Sequence, residues 1–233
     1  MIPTLVNGRW SILLPEHRAA RPEWVTGWER ERLDHMHSTT KPGDRVLYVG
    51  AEESEMCALL QMWGASVFLV EPNELVIPNA KAIWDANGLE MPAGMYVGFC
   101  GGSDSVNWAH GVYVDSWPDC AHGPVIGDHG FKELRDPGER PVVTIDTLVD
   151  AAGFFPDMLS MDIEGAETLA LHGAEQVLRQ HRPRLYISHH PEFGIDQYQV
   201  YSRDLRDWII NLGYAETLLA YEHELHAVYE PTA

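Results

Sequence analysis

The sequence predicts an α/β protein: a mostly parallel sheet with helices on both faces, closed by an antiparallel pair of strands. Three observations lead there. From Arg45 onward, short apolar runs alternate with stretches of helical periodicity, the pattern in which crossover helices make successive strands parallel. The first runs, Val46-Leu-Tyr-Val49 and Ser66-Val-Phe-Leu-Val70, are continuously apolar, as strands buried on both faces must be. The last two, Ala215 to Tyr221 and Leu225 to Tyr229, are joined too tightly for a crossover, so they pair antiparallel.

The elements follow in order. Residues 1 to 44 are rich in proline, tryptophan and charge, and Glu23 to His37 reads as a helix with Trp24, Trp28 and Leu33 on one side. The turn signal Lys41-Pro-Gly-Asp44 ends it. This part is read as a helical lid or packing segment on a main domain spanning 45–233. In that domain Val46 to Val49 runs into the turn Gly50-Ala51, and a helix covers Glu55 to Trp63. The next strand, Ser66 to Val70, ends at Glu71-Pro72-Asn73. A helix over Ile77 to Asn87 stops at Gly88, and a third strand, Met95 to Phe99, runs into Cys100-Gly-Gly-Ser-Asp104. Residues 105 to about 140, rich in Gly, Pro, Asp and His, form an insertion with short strands such as Val112 to Val114. The strand Asp157 to Met161 ends in Asp162-Ile-Glu-Gly165, and a helix covers Ala166 to His181. The strand Arg184 to Ser188 ends in His189-His190-Pro191, and a helix over Ser202 to Asn211 precedes the closing pair.

At 233 residues, 45% apolar and 22% charged, the chain is long enough for one full hydrophobic core. Its 16 basic and 35 acidic residues leave a formal charge of −19, which argues against a nucleic-acid partner and against an anionic membrane surface. The uncharged stretch Met56 to Val70 is too short to span a bilayer, and the start shows no secretion signal. Cys57, Cys100 and Cys120 are odd in number and lack metal-type spacing. They read as thiols in a reducing cytoplasm, which is the expected location.

In sheets of this kind ligands bind beyond the carboxyl ends of the strands. Tyr48-Val-Gly-Ala-Glu-Glu-Ser54 offers a tight turn and a helix start, without the spacing of a dinucleotide or phosphate loop. Glu52, Glu53 and Glu55 repel phosphate and suit a positively charged ligand. Glu71 stands where a carboxylate accepts hydrogen bonds from the ribose hydroxyls of an adenosine ligand. The plainer alternatives are an ordinary βα turn and an exposed strand-end carboxylate. Together the two features suggest adenosine without a phosphate chain.

Val49-Gly-Ala51, Phe68-Leu-Val-Glu-Pro-Asn73, Ser103-Asp104, Thr144-Ile-Asp-Thr-Leu148 and Met161-Asp-Ile-Glu-Gly-Ala-Glu167, in this order, resemble the FkbM family of S-adenosylmethionine-dependent methyltransferases. Gly173-Ala174 and Pro183-Arg-Leu185 continue the match, which covers roughly residues 43 to 215. Gly-Ala-Glu-Glu, His-Pro-Glu-Phe and the terminal His-Glu-x-His resemble a phage-associated branch. The resemblance implies a class I (Rossmann-like) methyltransferase fold, seven-stranded with an antiparallel closing strand. It implies S-adenosylmethionine held by Val49, Gly50, Ala51 and Glu52, with Glu71 and Pro72 at the ribose and Ser103 and Asp104 near the adenine. Asp162 and Glu164 would lie at the methyl-transfer end. The chain departs from the family at Tyr48, where an acid is usual, and at Ser54, where a second glycine is usual.

Of the 12 histidines, several fall at strand ends. His190, His223 and His226 would meet Asp162 and Glu164 on the carboxyl edge, as turn and surface histidines, as general bases (His190 or His223) or as a divalent-metal site of His190, His223 and His226. His223-Glu-Leu-His226 is not the helical zinc-protease motif, whose histidines lie four apart. Trp24, Trp28, Trp63 and Trp84 read as core, whereas Trp108 and Trp117 in the insertion suit substrate contact or packing equally. The expected activity is methyl transfer to an oxygen of a small-molecule or sugar-like acceptor, oxygen resting on the resemblance alone. The rivals are a non-catalytic binding module that kept the fold, favoured by Tyr48 and Ser54, and a nucleic-acid methyltransferase, which the charge opposes.

Overall fold

The computed structural model describes residues 1–127, 140–194, 202–221 and 224–232. The chain opens with an antiparallel hairpin, β1 (Ile2–Val6) and β2 (Trp10–Leu14), followed by helices α1 (Glu16–Ala19), α2 (Glu23–Thr26) and α3 (Arg30–Thr39). The hairpin was not legible in the sequence, and the helix expected over Glu23 to His37 is broken. Asn7, at the hairpin turn, accepts a hydrogen bond from the Trp28 N–H (2.8 Å) and donates one to the Trp28 carbonyl (2.9 Å). Those two backbone groups are therefore drawn to the hairpin, and Gly27 (φ 114°) and Glu29 (φ 41°) turn the chain on either side of them.

The alternating part runs β3 (Arg45–Val49), α4 (Glu55–Met62), β4 (Ser66–Val70), α5 (Ile77–Ala86), β5 (Gly94–Tyr96), β6 (Phe99–Cys100) and β7 (Val112–Tyr113). It continues with β8 (Val142–Val143), α6 (Ile145–Ala152), β9 (Met158–Met161), α7 (Glu167–His172), α8 (Glu175–Gln180) and β10 (Arg184–His189). The short α9 (Pro191–Phe193), α10 (Ser202–Asn211), β11 (Tyr214–Tyr221) and β12 (Leu225–Pro231) close the chain. The main sheet has the order β11-β12-β10-β9-β3-β4-β5-β7. Strands β10, β9, β3, β4 and β5 are parallel, and β12 lies antiparallel between β10 and β11.

This is the expected class, with eight strands in place of seven. The eighth is β7 from the glycine-rich insertion, which adds antiparallel to β5. The expected third strand divides: the chain leaves the main sheet after Tyr96, and β6 pairs instead with β8. The helix expected over Ala166 to His181 also divides. A Cβ at Gly173 would overlap the Gly101 carbonyl, and the Asp146 carboxylate accepts the N–H groups of Gln176 and Val177 to start a new helix.

The apolar strand runs sort onto two faces by alternation. Val46, Val67, Leu69, Met158 and Tyr186 pack with α4, α5 and the N-terminal segment. Leu47, Phe68, Val70, Leu159 and Ile187 pack with α6, α7, α8 and α10. No helix among the described residues is long and apolar enough to cross a membrane.

Several α3 side chains tie the N-terminal segment to the sheet: His35 and Thr39 hydrogen-bond the Tyr186 hydroxyl of β10 (2.8 Å each), and Arg32 makes the most buried link. Arg32 of α3, 1% exposed, donates hydrogen bonds to Ser160 Oγ of β9 and Ser188 Oγ of β10 (2.8 Å each) and pairs with Glu29. It lies 3.5 Å from Asp162 Oδ2, and its guanidinium sits 5.9 Å from the centre of the Tyr48 ring. Burial works against that charge, but Tyr48, Glu29 and Asp162 outweigh it and hold the guanidinium protonated. Arg32→Met leaves buried carboxylates uncompensated, and the expected loss is about 3–5 kcal/mol of stability. Urea denaturation reads it, and an unchanged midpoint would refute the anchoring role.

Candidate functional site

The carboxyl ends of β3, β4 and β9 are laced together by backbone hydrogen bonds. The N–H groups of Gly50 and Ala51 both donate to the Val70 carbonyl, the Asp162 N–H donates to Val49, and the Glu71 N–H donates to Tyr96. Gly50 has φ 85°, and a Cβ there would overlap the Asp162 carbonyl oxygen. Only glycine lets these two strand ends approach so closely. Ser54 adopts a left-handed φ of 69°, so the loop holds a non-glycine residue in a conformation that favours glycine.

A cavity of about 980 Å³ opens over this edge, at the upper end of the range for small-molecule sites, about 300–1,000 Å³. Val49 to Glu52, Glu71 and Pro72 line its middle. Phe99, Cys100, Gly101, Val142 and Leu169 line one end, and Trp28, Glu29, Asp162, Glu164 and Glu224 the other. Glu71 is buried (5% exposed), and its carboxylate accepts the N–H groups of Glu52 (2.7 Å) and Asn73 (2.8 Å). Burial pushes its pKa up to about 7 against the pull of those two bonds. Ser103 and Asp104 are exposed and do not line the cavity. The Asp104 carboxylate accepts the Thr144 N–H (2.6 Å) and the Thr147 hydroxyl (2.7 Å) at the start of α6.

At the Asp162 end the side chains close around His190, 7% exposed. Its Nδ1 lies 2.9 Å from Glu167 Oε1, and its Nε2 lies 2.7 Å from Glu224, 3.4 Å from Asp162 and 3.6 Å from Glu164. Burial disfavours the imidazolium, but hydrogen bonds to Glu167 and Glu224 outweigh it and raise the pKa to about 11. Both ring nitrogens face carboxylates, an environment that favours the protonated ring over the neutral form a general base uses. Asp162 is held well above the ordinary carboxylate range by burial and by Glu29 and Glu224, against Arg32 and His190. Burial also raises Glu164, with His190 pulling the other way.

Asp162, His190 and Glu224 place ligand atoms within 4.8 Å of one another, the one such group among the described residues. This differs from the expected trio of histidines. His226 is fully buried in β12, with Nδ1 3.0 Å from Ser188 Oγ, and His223 lies outside the described residues. The sequence does not mark Glu167, Glu224, Glu29 or Arg32 as site residues. The first two sit inside quoted motifs, but nothing local marks Glu29 or Arg32, which reach the site only through the fold. Arg18 likewise reaches across from α1 to pair with Glu52 and Glu55, bracing the glycine turn. Gly50→Ala is expected to cost more than about 1 kcal/mol. It should also abolish adenosine-ligand binding, as read by thermal melting and calorimetric titration; a variant that binds normally would refute the close-approach argument.

The chain matches the model of the methyltransferase FkbM domain over residues 44–215. Among solved structures it is similar to methyltransferase FkbM from Methylobacillus flagellatus, at 17% identity and TM-score 0.52, over 84% of this chain and 50% of that one. It spans half the length of that protein. A TehB-like SAM-dependent methyltransferase from Corynebacterium glutamicum is similar at 14% identity and TM-score 0.46, over 88% and 89% of the two chains. TrmK of M. capricolum, in complex with S-adenosyl-homocysteine, is similar at 10% identity and TM-score 0.40, over 85% and 66%. No curated protein matches the chain. The family match takes in the glycine turn, Glu71 and the block from Asp162 to Glu167, and the chain belongs to the FkbM methyltransferase family.

Proposed function

We propose that the protein methylates an oxygen of a small-molecule or sugar-like acceptor bound beside Asp162 and Glu164. The observation that carries this reading is the convergence of Asp162, Glu164, Glu224 and His190 on one end of a cavity whose middle is the glycine turn and Glu71.

The residues fit the cofactor. Glu71 would accept the ribose hydroxyls, the backbone of Val49 to Glu52 would hold the methionine part, and Phe99, Val142 and Leu169 offer an apolar wall for the adenine. Glu52, paired with Arg18, would place negative charge near the sulfonium. When bound, S-adenosylmethionine supplies an electrophilic methyl group. Methylating a hydroxyl releases its proton, and Asp162, whose proton affinity is raised, accepts it. Glu164, 41% exposed, hydrogen-bonds the acceptor and helps hold it in line. His190, fixed by Glu167 and Glu224, keeps positive charge beside Asp162 and limits the repulsion among the carboxylates. The group of Asp162, His190 and Glu224 supports a second use, holding a divalent cation in place of the His190 proton.

Titration with S-adenosylhomocysteine and a screen of hydroxylated acceptors test the proposal. Absence of binding to folded protein would overturn it. Because a carboxylate accepts hydrogen bonds from hydroxyls better than its protonated form, affinity is expected to hold above pH about 7 and to fall below it. Glu71→Gln should weaken binding by about 1–3 kcal/mol and flatten that pH profile. Asp162→Asn is expected to lower kcat about 100-fold or more while cofactor affinity stays within a few-fold, and equal activity would remove Asp162 as the base. Untagged protein should stay active in chelator; loss of activity restored by one metal would favour the cation reading.

A further inference from the structure

One end of the cavity is acidic. Glu29, Asp162, Glu164 and Glu224 line it, Glu52 and Glu55 add to the negative charge from the glycine loop and α4, and among the described lining residues Arg21 is the one cation. Arg21 comes from the N-terminal segment, outside residues 44–215 that match the family, so the family pattern says nothing about it. Its position is fixed by its neighbours. Three residues before it, Arg18 is clamped to Glu52 and Glu55 of the glycine loop and α4. The Arg18 carbonyl accepts the Arg21 N–H (3.2 Å) and the Trp24 indole N–H (2.6 Å). Trp24 in turn packs edge-on against Trp28, 4.7 Å between ring centres, and Trp28 lines the cavity. Arg18 is committed to carboxylates of the protein, whereas the Arg21 guanidinium makes no ion pair or side-chain hydrogen bond among the described residues.

We propose that Arg21 is a carboxylate-binding subsite that takes the methionine carboxylate of the cofactor. The inference rests on the function proposed above. The methionine part carries an ammonium, a sulfonium and a carboxylate. The acidic wall serves the first two and repels the third, and an enclosed carboxylate needs a partner. A guanidinium matches it with two parallel hydrogen bonds. The N-terminal segment thereby completes the cofactor pocket and does more than cover it.

The test compares S-adenosylhomocysteine, which carries the carboxylate, with 5′-methylthioadenosine, which lacks the whole amino-acid part, by calorimetric titration of wild-type protein and Arg21→Met. Arg21→Met is expected to weaken S-adenosylhomocysteine about 10- to 100-fold and to leave 5′-methylthioadenosine within about twofold. Equal losses for both ligands, or no loss for the first, would overturn the proposal. If neither ligand binds the wild-type protein, the function reading fails instead. If Arg21→Met does not fold, Arg21→Lys serves: it keeps the charge without the fork, and a loss confined to S-adenosylhomocysteine supports the subsite while equal affinities for wild type and variant overturn it.

Discussion

The buried guanidinium of Arg32 is the contact on which the arrangement of the site depends. It crosses from α3 to hydroxyls on two neighbouring strands, Ser160 and Ser188, and carries Glu29 and Asp162 within its field. A charge taken this far from water persists only where its donors find acceptors and its charge finds opposite charge. Arg32 meets both conditions by holding the N-terminal segment against the carboxyl edge of the sheet. The wall formed by Trp28 and Glu29 follows from that contact.

A second constraint is steric. Gly50 lies against the Asp162 carbonyl, so the cofactor turn and the start of the acidic block are parts of one packed unit. The turn is further braced from outside by Arg18 on Glu52 and Glu55 and by His17, whose Nε2 lies 2.8 Å from Glu53. Tyr48, where the family resemblance would lead one to expect an acid, places its ring beside Arg32. The N-terminal cation and the altered strand residue therefore belong to the same local solution: a neutral aromatic face accommodates the guanidinium between acids.

The site as a whole demands positive charge. His190 sits among Asp162, Glu164, Glu167 and Glu224, and the same carboxylates that keep it protonated raise one another's proton affinity. A ligand bearing a sulfonium and an ammonium relieves that repulsion on entering. Electrostatics thus favours the cofactor proposed from the glycine turn and Glu71, by an argument independent of the turn itself.

The sequence alone determined the alternation of strands and helices, the antiparallel closing pair, and the polar residues at the strand ends, because these follow from local periodicity and turn chemistry. Ser66–Val70 and Ser202–Asn211 fall where the apolar pattern puts them. The break between α2 and α3, the break at Gly173 and the extra strand β7 came only with the tertiary structure. Each is set by a distant partner: Asn7 on Trp28, Gly101 on Gly173, and β5 on β7. The site divides the same way. Gly50, Glu71, Asp162 and His190 are marked by their places at strand ends. Arg32, Glu29 and Arg21 carry no local mark, since an arginine or glutamate in a polar helical segment looks solvated until the fold buries it against opposite charge or sets it at a cavity wall.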